Sequence, residues 1–231
     1  MEKVWTEEEL KKVSDSLEGK SPQEVLKWAL DNFHPNISLA CSFGAEDVVL
    51  VDMLTKIRKD ARIFYLDTGL LFKETYDVIE RVKEKYGIQP EKYESELTLE
   101  EMEAKYGPKL WETNPDECCR IRKVLPLEAA LKDLKAWITG IRREQSPTRA
   151  NAPVVTWDKK FGLVKINPLV AWKYDDVWNY IKENDVPYNV LHDQNYPSIG
   201  CEPCTRPVRP GEDPRAGRWA GKAKTECGLH Q

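Results

Sequence analysis

Nowhere in this 231-residue chain does an apolar run approach the ~20 residues that span a bilayer. The opening Met-Glu-Lys-Val-Trp likewise lacks an apolar stretch of signal-peptide length. A protein of the cytoplasm, without membrane attachment, is the expectation. Positive charge is not in excess either: 35 Lys+Arg against 39 Asp+Glu leave a net charge of −4. Neutralising a phosphate backbone needs a basic surface, so general nucleic-acid binding is excluded and any anion site must be local. No internal repeat or low-complexity tract appears. Hydrophobic residues at 41% are too many for a disordered chain.

What is present reads as one α/β domain with an appendage. Thr6 with Glu9, and Ser21-Pro22-Gln23-Glu24, are capping-box signatures, so two helices fill residues 1–34. Ile37 to Cys41 reads as a strand, Ser42 to Asp47 as a loop, and the apolar run from Val48 to Leu54 as a buried helix. Arg62 to Leu66 is a second strand, Phe72 to Tyr86 a second helix, and Gln89–Tyr93 and Lys135–Thr139 are further strands. Such alternation predicts a mostly parallel twisted sheet flanked by helices. Val154–Trp157 and Leu163–Ile166 flank a loop of hairpin length, and Tyr174 to Lys182 is an amphipathic helix. The α/β domain is thus expected over 35–186. Six of the 15 prolines fall from Pro187 onward, which predicts an irregular, mobile tail over 187–231.

Six cysteines in a reducing compartment point to metal ligands, nucleophiles or core filler rather than disulfides. Cys118-Cys119 and Cys201-Glu202-Pro203-Cys204 make a tetrathiolate set, for structural zinc or an iron–sulfur cluster. Adjacent helical residues point about 100° apart, which suits separate irons better than one tetrahedral zinc. Cys227, near the C-terminus, is either a spare thiol on a frayed tail or a nucleophile on a movable arm, with His230 placed to assist its ionisation. Cys41, ending a buried strand, reads as core filler.

Basic residues cluster three times: Arg120, Arg122 and Lys123; Arg142, Arg143 and Arg149; Arg206, Arg209, Arg215 and Arg218. Each could be an ordinary solvated face. The Ser42–Asp47 loop has one glycine and no lysine, unlike either common phosphate loop. Its place between a strand end and a helix start nevertheless suits an anion, as do those of Asp67-Thr68-Gly69 and Thr139-Gly140.

These motifs together resemble the adenylyl-sulfate and phosphoadenylyl-sulfate reductases, of the adenine nucleotide α-hydrolase-like fold, from about residue 35 to the end. Ser42–Asp47 resembles that family's modified pyrophosphate loop, Leu66–Gly69 its nucleotide loop, and Thr139–Ser146 its arginine loop. Lys224-Thr225-Glu226-Cys227-Gly228-Leu229-His230 resembles its catalytic motif. The resemblance implies one [4Fe-4S] cluster per chain on Cys118, Cys119, Cys201 and Cys204, and Cys227 as nucleophile. It also implies that Lys123, Arg149, Arg215 and Arg218 grip phosphate and sulfate, and that Ser42, Leu66 and Gly140 hold the adenosine. Gly44, Thr68, Arg142, Arg143 and His230 complete the expected substrate site.

The implied reaction reduces adenosine 5′-phosphosulfate to sulfite and AMP through an S-sulfocysteine, in assimilatory sulfate reduction and cysteine biosynthesis. Thioredoxin or glutaredoxin would resolve the adduct. The loop's Phe43 and Asp47 make ATP a poor fit. Two alternatives stand beside this expectation: phosphoadenylyl-sulfate as sole or second substrate, and a non-catalytic, zinc-stapled nucleotide-binding module. Eight tryptophans leave room for an aromatic homo-oligomer interface.

Overall fold

The structure, a computed structural model, describes residues 4–224 and 226–230. In chain order the elements are α1 (Glu7–Leu17), α2 (Pro22–Phe33), β1 (Ile37–Ala40), α3 (Ala45–Ile57), β2 (Arg62–Asp67), α4 (Lys73–Tyr86), β3 (Glu91–Glu94), α5 (Leu99–Tyr106), α6 (Leu110–Thr113) and α7 (Pro115–Cys119). A π-helical turn (Arg120–Val124) follows, then α8 (Leu125–Leu131), β4 (Ala136–Ile138), β5 (Val155–Asp158), β6 (Leu163–Ile166) and α9 (Tyr174–Glu183). The fold is α/β with mostly parallel strand pairing, as the sequence predicts. Two compact units share the chain: Met1–Cys41, Ala45–Ile63 and Asp133–Pro187 form one; Ser42–Gly44, Phe64–Lys132 and Tyr188–Gln231 form the other. This division cuts across the three consecutive segments expected from sequence, because the N-terminal helices share contacts with β5 and α3 while residues 64–132 cluster with the tail.

In the first unit β4 lies parallel to both β1 and β6, with Ala136 opposite Ile37 and Val164. β5 pairs antiparallel with β6 across a turn closed by Gly162, whose φ of 71° suits glycine. Every residue of β4 and β6 is buried, as expected of strands covered on both faces. Both N-terminal capping boxes form: Thr6 and Ser21 accept from the Glu9 and Glu24 N–H groups, and each glutamate accepts from its cap residue in return. In α3, Val48 to Leu54 are all buried, Asp52 among them paired with Lys56 (2.7 Å) and accepting from Tyr180 Oη (2.6 Å).

The second unit carries the parallel pair β2–β3, from Phe64 opposite Glu91 to Asp67 opposite Glu94. α4 buries Val78, Ile79 and Val82 and ends at Gly87, left-handed at φ 64°. The tail has no α-helix among the described residues, yet it is anchored. Arg81 donates to the Tyr188 carbonyl (2.5 Å), the buried Asn189 amide donates to Thr75 Oγ1 (3.2 Å), and Tyr196 packs edge-on against Phe72. Helices α5 to α7 carry no strong periodic signature. They enclose Met102, Leu110, Cys118 and Ile121 in a core of their own.

Candidate active site

The first cysteine pair owes its placement to proline chemistry at both ends. Asn114 accepts the Glu117 N–H (3.1 Å), with Pro115 at the first position of α7, where its missing N–H costs nothing. Pro126, eleven residues on, has no N–H to offer the turn before it. The chain there widens into the π-helical turn, with the Leu125 N–H reaching back to the Arg120 carbonyl. The three basic residues of this turn consequently part ways. Arg120 pairs with Glu117 through two hydrogen bonds (2.8 and 2.7 Å). Arg122 is buried and donates to the carbonyls of Thr68 (2.8 Å) and Leu97 (2.5 Å), as a strut. Lys123 lies among the cysteines: burial opposes its charge, but Cys201, Cys227 and Cys119 outweigh it, so its pKa is raised despite Arg218.

Cys201 and Cys204 bracket a 3₁₀ turn, Glu202–Cys204, held by the Glu202 N–H to the Leu70 carbonyl (2.8 Å). Cys201 Sγ and Thr68 Oγ1 share a hydrogen bond of 3.3 Å, and the Cys204 carbonyl accepts from the Trp219 N–H (3.0 Å). Cys118, Cys119, Cys201 and Cys204 line one pocket together with Lys123 and Arg218. Burial, reinforced by Cys119, Cys201 and Cys204, pushes the Cys118 thiol up to about 12. Burial and then Cys201 and Cys119 push Cys204 up to about 11. Such mutual suppression follows when several sulfurs share low-dielectric space without enough positive charge. Among the described residues, no group of three or more His, Cys, Asp or Glu side chains is close enough to hold a single metal ion.

Cys227 differs from those four. Burial works against its thiolate, but Lys123, an N–H from Leu229 and Arg218 outweigh burial and the nearby Glu226, and its pKa falls below that of a free thiol. The Leu229 N–H depends on Gly228, which is left-handed at φ 85°. Gly228→Ala would impose about 1–2 kcal/mol of backbone strain. Its expected effect is a fall in kcat/KM of up to about tenfold, read together with slower alkylation of Cys227; unchanged alkylation would show that the turn does not serve the thiol.

Arg215 is paired with the buried Glu226 at 3.2 Å. Arg218 has no carboxylate partner among the described residues; it donates to Ser198 Oγ (3.1 Å) and its buried Nε has no hydrogen-bond partner. His230 is half-buried, and Thr225 of the tail motif lies outside the described residues.

The remaining sequence candidates divide between the units. In the second, Ser42 is exposed and Phe43 takes a left-handed φ of 59°, its buried ring edge-on to Tyr65. The Gly44 N–H leans toward Ser42 Oγ (3.4 Å), and Leu66 lies in β2. Thr68 is buried, with its hydroxyl on Cys201 and its carbonyl on Arg122, so it braces the cysteine pocket. In the first unit, a Cβ on Gly140 would collide with the Asp47 carboxylate, which explains the glycine. Arg142 is buried against Glu46 (2.8 Å) and Glu144 (3.0 Å). Arg143 forms a two-pronged pair with Glu18 (2.7 and 2.9 Å), which holds that carboxyl below its usual range. Both charges are already matched within the protein. Arg149 donates to Gln145 Oε1 (2.6 Å).

Residues 36–207 match the model of the phosphoadenosine phosphosulfate reductase domain. The chain belongs to the phosphoadenosine phosphosulfate reductase family. Among its relatives, adenosine 5′-phosphosulfate reductase 2 of Bacillus subtilis (strain 168) is 53% identical over 229 residues, covering 99% of this chain and 96% of its own. The adenosine 5′-phosphosulfate reductase of Halalkalibacterium halodurans is 51% identical over 223 residues, covering 96% of each chain. The crystal structure of phosphoadenylyl-sulfate reductase from Candida auris, a phosphate complex, superposes with a TM-score of 0.79 at 35% identity, over 89% of this chain and all of its own. The FMN adenylyltransferase of Candida glabrata, at 13% identity and a TM-score of 0.58 over 86% of this chain and 66% of its own, shares the fold alone.

Within this phosphoadenosine phosphosulfate reductase framework, sequence reasoning passed over Lys222 and gave Lys224 no role beyond its place in the tail motif; both are supports. Lys222 Nζ donates to the carbonyls of Trp111 and Glu112 (2.8 Å each) at the end of α6, and Lys224 pairs with Asp116. Together they lash the segment before Cys227 to α6 and α7. No spacing rule announces such pairs, since their partners lie more than 100 residues away.

Proposed function

We propose that this chain reduces adenosine 5′-phosphosulfate to sulfite and AMP, in assimilatory sulfate reduction in the cytoplasm, with Cys227 as nucleophile. One observation carries the reading: two cations without carboxylate partners among the described residues, Lys123 and Arg218, bear on a single thiol whose pKa they lower. The Cys227 thiolate attacks the sulfate sulfur, the S–O bond to the nucleotide breaks, and AMP leaves with the bonding pair. A thiolate of thioredoxin, or of a related dithiol carrier, then attacks the Cys227 sulfur and expels sulfite. The carrier's second thiol closes its disulfide and regenerates the Cys227 thiolate, so the two electrons come from the dithiol.

The physical difficulty is an anion attacking an anion. Lys123 and Arg218 offset the charge of nucleophile and sulfate, and pre-aligned cations of this kind are commonly worth about 3 kcal/mol each. Ser42, Gly44 and Leu66, in the same unit as Cys227, are assigned to the adenosine. The donor set Cys118, Cys119, Cys201 and Cys204 suits a [4Fe-4S] cluster: four soft sulfurs from two separate motifs, without an oxygen or imidazole ligand. When bound, the cluster would relieve the mutual suppression of those thiols and join the π-turn helix to the tail.

Adenosine 5′-phosphosulfate is preferred over its 3′-phosphorylated form because the relatives above 50% identity carry that name, whereas the phosphoadenylyl-sulfate reductase is 35% identical. The test is anaerobic purification with iron, sulfide and zinc assays, then sulfite release from both nucleotides with thioredoxin. Iron near four per chain and faster release from adenosine 5′-phosphosulfate are expected. A zinc protein that releases no sulfite would overturn the proposal, and equal rates would overturn the substrate preference.

A further inference from the structure

A buried tryptophan stands where three functional segments meet in the second unit. Trp219 is only 3% exposed, and its ring centroid lies 4.5 Å from the Arg218 guanidinium and 5.6 Å from the Lys224 ammonium. Its backbone N–H donates to the Cys204 carbonyl, so the ring's position is tied to the second cysteine pair. Its backbone is left-handed at φ 49°, an unfavourable conformation for a large side chain. Its indole Nε1 is buried with no hydrogen-bond partner. A tryptophan held at such cost without using its polar atom is there for its ring face.

Arg218 has few other restraints. Among the described residues its guanidinium makes a single hydrogen bond, to Ser198, and it packs so closely on Gly200 that any Cβ there would overlap the guanidinium. Glycine beneath and indole beside it form a slot fitted to a planar cation. An aromatic face holds a guanidinium without neutralising it, whereas a carboxylate would cancel the charge that an anionic substrate needs. Arg215, matched by Glu226, shows the contrasting arrangement in the same unit.

We infer that Trp219 is a positioning residue: its ring holds the uncompensated Arg218 guanidinium toward the Cys227 site, so that the indole, through Arg218, sets affinity for the phosphosulfate. This rests on the proposed function, in which Arg218 meets the substrate anion. Lys224, drawn to the same ring and to Asp116, links the approach of Cys227 to the same slot.

The test is a double-mutant cycle on the iron-loaded enzyme with Trp219→Leu and Arg218→Gln. Both KM and kcat are measured, and nucleotide binding is titrated separately in a Cys227→Ser background. Loss of a desolvated cation–π contact should raise KM and Kd for adenosine 5′-phosphosulfate about tenfold. kcat should change less, iron content should stay constant, and Trp219→Leu should add almost nothing once Arg218 is Gln. Trp219→Phe, which keeps a weaker aromatic face, should fall between native and Leu, and its cycle serves if the Leu variant does not fold. Full additivity with Arg218→Gln, or a native Kd in Trp219→Phe and Trp219→Leu alike, would overturn the inference. If Arg218→Gln itself leaves KM, Kd and kcat unchanged, the assignment of Arg218 to the substrate has failed instead.

Discussion

Cys227→Ser is expected to lower sulfite release from adenosine 5′-phosphosulfate by at least about a thousandfold, as removal of a covalent nucleophile does. A serine hydroxyl is scarcely ionised near neutral pH, and the cations that favour a thiolate cannot close that gap. Even if its oxygen accepted the sulfuryl group, the adduct would lack the side-chain sulfur that the carrier thiol must attack to expel sulfite. Iron content should be unchanged, because Cys227 is not one of the four proposed ligands, and nucleotide binding should persist. Incubating the native enzyme with the nucleotide in the absence of a dithiol should add the mass of one SO₃ group to Cys227. Residual activity within tenfold of native, or an adduct elsewhere, would remove Cys227 from the reaction.

Lys123→Gln should cost about a hundredfold or more in kcat/KM, the magnitude associated with losing one pre-aligned charge. It also has a pH signature. Burial raises the Cys227 thiol's pKa, and Lys123 is foremost among the groups that more than reverse this. Removing the ammonium must therefore raise the pKa, so less thiolate exists at any given pH. Alkylation of Cys227 and the alkaline-rising limb of kcat/KM should both move to higher pH. A loss of rate with an unmoved alkylation profile would mean that Lys123 serves the substrate alone.

Arg120, Arg122 and Lys123 show how far the chain could be read in advance. Their shared sign made them one of three basic clusters, each able to be an ordinary solvated face; composition alone could not rank them, and only the family resemblance singled out Lys123. Glu117 takes Arg120 and two carbonyls take Arg122, leaving Lys123 among the sulfurs. The same holds for the later arginines: Arg215 meets Glu226, whereas Arg218 meets an indole. Strands and caps were easier. The boxes at Thr6 and Ser21 and the hairpin of Val155–Asp158 with Leu163–Ile166 rest on contacts within a few residues. Helices α5 and α6 went unread because they are short and weakly periodic, and nothing local in the tail foretold its contacts with α4.

By itself, the sequence determined the α/β alternation, the N-terminal helix caps and the family motifs, because each depends on local spacing or on residue chemistry. The tertiary structure alone decided which charges remain uncompensated. Whether a guanidinium ends beside a carboxylate, a carbonyl or an aromatic face depends on partners distant in sequence, and only folding brings them within the few ångströms over which such interactions act.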